Sequence, residues 1–129
     1  MTYYYYYHSK TEVIENYMEE IVARYVTECK VHMPLYHYEQ VLEALLFFDH
    51  YAPFLTGLAD AGYYSLMINA INRFLQERIL PHYEGSAYEL YYSAGALLNT
   101  FILWEQQGKK ESAEEIAALI TQKSRTTIR

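Results

Sequence analysis

The sequence predicts an all-α fold, an antiparallel bundle of five to six helices. Three observations carry that expectation. Apolar residues recur every three to four positions along most of the chain, and no alternating strand pattern of useful length interrupts them. The Ser-x-x-Glu pattern of a helix N-terminus occurs at Ser9, Ser86 and Ser112, each time ahead of an apolar stripe. Only 5 Gly and 3 Pro occur in 129 residues, too few breakers for a turn-rich sandwich.

Each element follows in order. Ser9-Lys10-Thr11-Glu12 opens the first helix. Its stripe is Val13/Ile14, Tyr17/Met18, Ile21/Val22 and Tyr25/Val26, with Glu15, Glu19, Glu20 and Arg24 off it. This helix is expected from about residue 10 to about residue 30, before Pro34. Tyr38, Val41, Leu42, Leu45, Leu46 and Phe48 form a second stripe, which Pro53 ends or kinks. Phe54, Leu55 and Leu58 predict a short extra helix, closed by the loop Asp60-Ala61-Gly62. A third long stripe holds Tyr64, Met67, Ile68, Ile71, Phe74/Leu75 and Ile79 and stops at Pro81.

Ser86 then opens a stretch that is apolar almost all round, from Leu90 to Trp104. A helix apolar on every side has to be buried on every side, as a central helix or at an oligomer interface. Gly108 supplies its C-cap. The last helix starts at Ser112 and carries Ile116, Leu119 and Ile120 on one face. Lys123 and Arg125 suit its C-terminal dipole, and Thr126 to Arg129 are expected to fray.

Composition bounds the function. One domain of this length buries a core without disulfides or metals. Hydrophobic residues at 52% and charged residues at 20% exclude wholesale disorder. Mean hydropathy is still -0.19, because 16 Tyr each carry a polar tip. No segment approaches the roughly 18 apolar residues of a membrane span, and no secretory leader pattern is visible. The single Cys29 excludes an internal disulfide and a thiolate zinc site. A soluble cytoplasmic protein without membrane partners is expected. Net charge -6 has the wrong overall sign for nucleic-acid binding, which leaves only a local basic patch as a route to it.

Catalytic signatures are missing. His8, His32, His37, His50 and His82 are scattered, and none follows a Glu by three residues. There is no zinc-protease pair, P-loop or dinucleotide glycine motif. His32 and His37 could meet across a bend to bind a metal, but surface or hydrogen-bonded histidine is the default. Cys29 reads as a small apolar residue before it reads as a reactive thiol. No catalytic residue, metal or cofactor is expected, and no enzyme. What remains is an interior rich in Tyr and Met, which serves either a small-molecule cavity or plain packing.

The run Thr2-Tyr3-Tyr4-Tyr5-Tyr6-Tyr7-His8-Ser9-Lys10, followed by Thr11-Glu12-Val13-Ile14, reads on its own as a sticky low-complexity segment or a tag. It also resembles the Thr-Phe-Tyr-x-x-Phe-x-Ser/Asp-Lys-x-x-Leu-Leu segment of TetR-family transcriptional regulators. Tyr3, Tyr4 and Tyr7 match the aromatic positions, and Ser9 and Lys10 the polar turn. Tyr5 and Tyr6 depart from it, standing where the family often has polar or basic residues. Gly95, Trp104, Gly108 and Ser112-x-Glu114-Glu115-Ile116 resemble that family's final helical pair.

The resemblance implies a TetR-like C-terminal domain. Residues 1–8 would be the remnant of a helix-turn-helix DNA-binding domain, and residues 9–129 the regulatory domain. The last two helices would pair with their copies in a second subunit as a four-helix bundle. Seam candidates are Leu90, Ala94, Gly95, Leu97, Leu98, Phe101, Ile102, Ile116, Leu119 and Ile120. A small apolar or aromatic effector would sit among Tyr17, Met18, Ile21, Leu42, Leu45, Tyr64, Met67, Ile68, Tyr92 and Asn99. Asn99 would orient the effector or, equally, bond across the seam. DNA would be bound only through the missing N-terminal domain. The alternative is a ligand-free helical scaffold for dimerisation or protein interaction.

Overall fold

The computed structural model describes residues 9–29 and 36–128, with side chains through residue 122. The Tyr3–Tyr7 run, His8, His32 and the whole 1–8 segment lie outside the described residues. The chain forms a helical bundle: α1 Lys10–Cys29, α2 Tyr38–Asp49, α3 Ala52–Asp60, α4 Tyr64–Phe74, α5 Ala87–Gln106 and α6 Ala113–Ile128. Among the described residues there is no strand.

The caps are where the Ser-x-x-Glu pattern puts them. The Glu12 N–H donates to Ser9 Oγ at 3.1 Å. At α5, the Tyr88 N–H donates to Ser86 Oγ at 3.1 Å, while Glu89 Oε1 accepts from the Ser86 N–H at 3.1 Å. At α6, Ser112 and Glu115 exchange the reciprocal pair at 3.1 and 2.9 Å. These bonds satisfy N–H groups that the first helical turn leaves without partners. Pro53 falls in the first turn of α3, where its missing N–H costs nothing. Gly62 and Gly108 stand at φ +88° and +77°, the left-handed conformation that closes α3 and α5.

The third stripe differs from a plain α-helix. After Phe74 the chain widens into a π turn over Leu75–Ile79, then tightens to a 3-10 turn over Leu80–His82. The Leu80 N–H reaches back to the Leu75 carbonyl, and Pro81 has no N–H to continue an α-helical ladder. At the far end, α6 runs to Ile128.

One core links all six helices. Ile14 and Met18 belong to one cluster with Val41 and Leu45, Leu55 and Leu58, Met67 and Ala70, Leu98, Phe101, Ile102 and Trp104, and Ala113 and Ala117. Arg73 of α4 pins α1, with Nε 2.9 Å from Glu19 Oε1. The Trp104 Nε1–H donates to the Glu111 carbonyl at 2.7 Å, tying the α5–α6 corner down.

α5 is the central helix, but only in part. Leu90, Ser93, Ala94, Leu98, Phe101, Ile102 and Trp104 are buried. Tyr88, Tyr92 and Leu103 stay 87%, 76% and 54% exposed. Among the described residues, the expected burial on every side is therefore not reached.

Candidate functional site

Three elements surround a cavity of about 60 Å³. Met18, Val22, Tyr25 and Val26 of α1 recur at three- to four-residue spacing and form one wall. Ile71 and Phe74 of α4, with Leu75 and Ile79 of the π turn, form the second. Ala94, Leu97, Leu98 and Phe101 of α5 form the third, and Phe48 and Leu55 close the space. Of the lining residues, Val26, Phe48, Ile71, Ile79 and Leu97 are half-buried, so the cavity is not wholly enclosed.

The walls are apolar and partly aromatic. The Tyr25 ring lies 4.8 Å from that of Phe48, and Phe48 lies 6.4 Å from Phe101, centre to centre. Burial pushes the Tyr25 phenol well above its usual range, so it is neutral. No charged side chain lines the space. A charged group would lose its hydration here without a partner, which costs several kcal/mol at about the least.

Size narrows the chemistry further. A water needs roughly 10–15 Å³ of such volume and two to four polar partners. The cavity exceeds the first requirement, but its apolar walls fail the second. It is smaller than the ~150 Å³ apolar cavity that admits benzene. The space therefore suits a small uncharged group, or the apolar end of a larger molecule reaching in from solvent.

Among the ten residues proposed from sequence for the pocket, Met18 lines this cavity. Ile21, Leu45 and Met67 are buried outside its lining. Leu42, Tyr64 and Ile68 are half-buried, while Tyr17, Tyr92 and Asn99 are exposed. Tyr17 packs edge-on against Phe54 at 4.7 Å. Asn99 Oδ1 accepts a long 3.4 Å bond from the Tyr64 hydroxyl.

The seam candidates divide as well. Leu90, Ala94, Leu98, Phe101 and Ile102 face the chain's own interior, and four of the seam residues, Ala94, Leu97, Leu98 and Phe101, line the cavity. Gly95, Leu97, Ile116 and Ile120 are half-buried, and Leu119 is 53% exposed. The surface that α5 does present is Tyr88, Tyr92, Ala96, Asn99 and Leu103, spaced by three or four residues into one uncharged stripe. Nothing within 4 Å would meet a Cβ at Gly95, which lies beside that stripe.

Sequence reasoning missed Val22, Tyr25, Val26, Phe48, Leu55, Ile71, Phe74, Leu75 and Ile79 as cavity residues. All but Leu55 and Phe48 belong to the α1 and α4 stripes already recognised. Periodicity marks the inward face of a helix, but where two inward faces fail to meet depends on how the helices are placed.

Other chemistry is sparse. Cys29 is half-buried and its thiol is pushed up by burial, which suppresses the reactive thiolate. His37, His50 and His82 are exposed. Among the described residues, no group of three or more His, Cys, Asp or Glu is placed to hold a metal ion. No described helix is long and apolar enough to cross a membrane. No family model, curated protein or solved structure matches the chain.

Proposed function

We propose that this chain is the regulatory domain of a TetR-like transcriptional regulator, binding a small apolar effector and dimerising. The DNA contacts would belong to a helix-turn-helix domain preceding residue 9, and the parent protein would act in the cytoplasm. The observation that carries this proposal is one helix serving two surfaces. The inner side of α5 lines an apolar cavity, while its outer side is an uncharged stripe that the described residues leave uncovered. The terminal resemblances described above supply the family.

The mechanism is a population shift. A ligand in the cavity touches α1 through Met18, Val22, Tyr25 and Val26. α1 begins at Lys10, next to the segment that would join the DNA-binding head. An effector binding one dimer geometry more tightly shifts the spacing of two heads, and so their fit to an operator.

Native mass spectrometry, repeated after denaturation, tests both parts. The proposal expects a mass near twice 15.3 kDa, with any surplus lost on denaturation identifying a retained effector. A monomer at micromolar concentration contradicts it. A dimer that takes up no apolar probe favours the second reading, a ligand-free dimerisation scaffold.

A further inference from the structure

The far end of α5 carries a second feature, independent of the cavity and of the regulatory proposal. Glu105, in the last turn of α5, meets Asp49 at the end of α2. Asp49 also accepts from Lys109 Nζ, at 3.2 Å through Oδ1 and 3.3 Å through Oδ2. Lys109 stands in the α5–α6 corner at φ +52° and lies 5.8 Å from the centre of the Trp104 ring. His50, one residue beyond Asp49, is the remaining charged influence on Asp49. Three parts of the fold thus meet at two carboxyl groups and one cation.

The count of donors does not balance if both carboxyls are ionised. Asp49 takes the ammonium donor of Lys109. Glu105 Oε2 is buried and meets no donor among the described residues. Two ionised carboxylates also repel each other, which favours a proton on one of them. A proton on Glu105 removes the repulsion, because its O–H can donate to Asp49. Direction agrees with geometry. Burial first, then the Asp49 hydrogen bond, pushes the Glu105 carboxyl up to about 7. The Glu105 hydrogen bond first, then Lys109, holds Asp49 below its usual range.

We propose that Asp49 and Glu105 share one proton, and that this proton fastens the α5–α6 corner to the end of α2 as a pH-sensitive latch. Loss of the proton leaves two like charges facing each other beside a single lysine, and the corner loosens. A glutamate raised in the folded state stabilises fully below its unfolded value of about 4.3. That contribution falls away as pH rises through about 7. Asp49, lowered by its partners, works in the opposite direction, but its contribution is complete above about 3.9. Across the interval between, Glu105 sets the sign, and acidification tightens the latch.

Trp104 is the chain's one tryptophan and sits in this corner, so its fluorescence reports the latch directly. The test is a fluorescence titration of the full chain across the neutral range, alongside a carbon-13 NMR titration of the Glu105 carboxyl. The expected result is one shared midpoint near neutral pH. Glu105→Gln should flatten the fluorescence change, and Asp49→Asn should lower the Glu105 midpoint, leaving the part that burial alone causes. His50→Gln is the control, since histidines generally titrate in the neutral range; the midpoint should survive it. The wild-type NMR titration needs no variant to fold. A Glu105 carboxyl that titrates as an ordinary exposed glutamate, or a transition abolished by His50→Gln, would overturn the latch.

Discussion

The two sides of α5 use the same kinds of residue and meet different fates. Leu90 and Leu98 are buried on the inner side, while Leu103 is 54% exposed on the outer side. Phe101 packs near Phe48 and Trp104, whereas Tyr88 and Tyr92 stand almost free of the bundle. The inner side is consumed in making one chain fold. The outer side has a helix face of similar composition, and nothing among the described residues covers it. An apolar helix is therefore two statements at once, one about the core and one about what the finished domain meets.

The largest effect that separates the two sides is expected at Phe101→Ala. It empties a fully buried position on the inner side and should cost about 3–5 kcal/mol in a urea unfolding curve. A loss under about 1 kcal/mol would mean that the inner side collapses onto the cavity. Ser86→Ala comes next. It removes the cap that starts the helix carrying both sides, and a loss of about 1 kcal/mol is expected in the same measurement. The smallest effect belongs to Asn99→Leu. This residue sits on the outer side and makes one long bond to Tyr64. Stability should change by no more than about 0.5 kcal/mol. Uptake of an apolar probe such as xenon should be unchanged, because Asn99 does not line the cavity. Lost uptake would move the binding space toward the outer side.

Much of the fold is legible in the sequence because it rests on local chemistry. Ser9, Ser86 and Ser112 cap helices through bonds three residues long, and Gly108 ends α5 through its own φ. The π turn at Leu75–Ile79 is not legible, since its residues fit an α-helical stripe equally well. The choice between the two sides of α5 is also hidden, because Leu98 and Leu103 differ in surroundings and not in kind. Cavity residues such as Tyr25 and Ala94 need the relative placement of α1 and α5, which periodicity does not supply. The Asp49–Glu105 pair joins helix ends far apart in the chain, and neither residue carries a local signature.

The central claim is that the outer side of α5 meets a second copy of the chain. Sedimentation equilibrium of the wild-type protein and of Leu103→Glu, at equal micromolar concentration, tests it most directly. Leu103 lies outside the core, so the substituted chain should keep its helical fold, checked by circular dichroism, while losing whatever stability the dimer adds. A wild-type dimer and a folded Leu103→Glu monomer are the predicted result. A wild-type monomer, or a variant that dimerises as tightly as the wild type, would contradict the account.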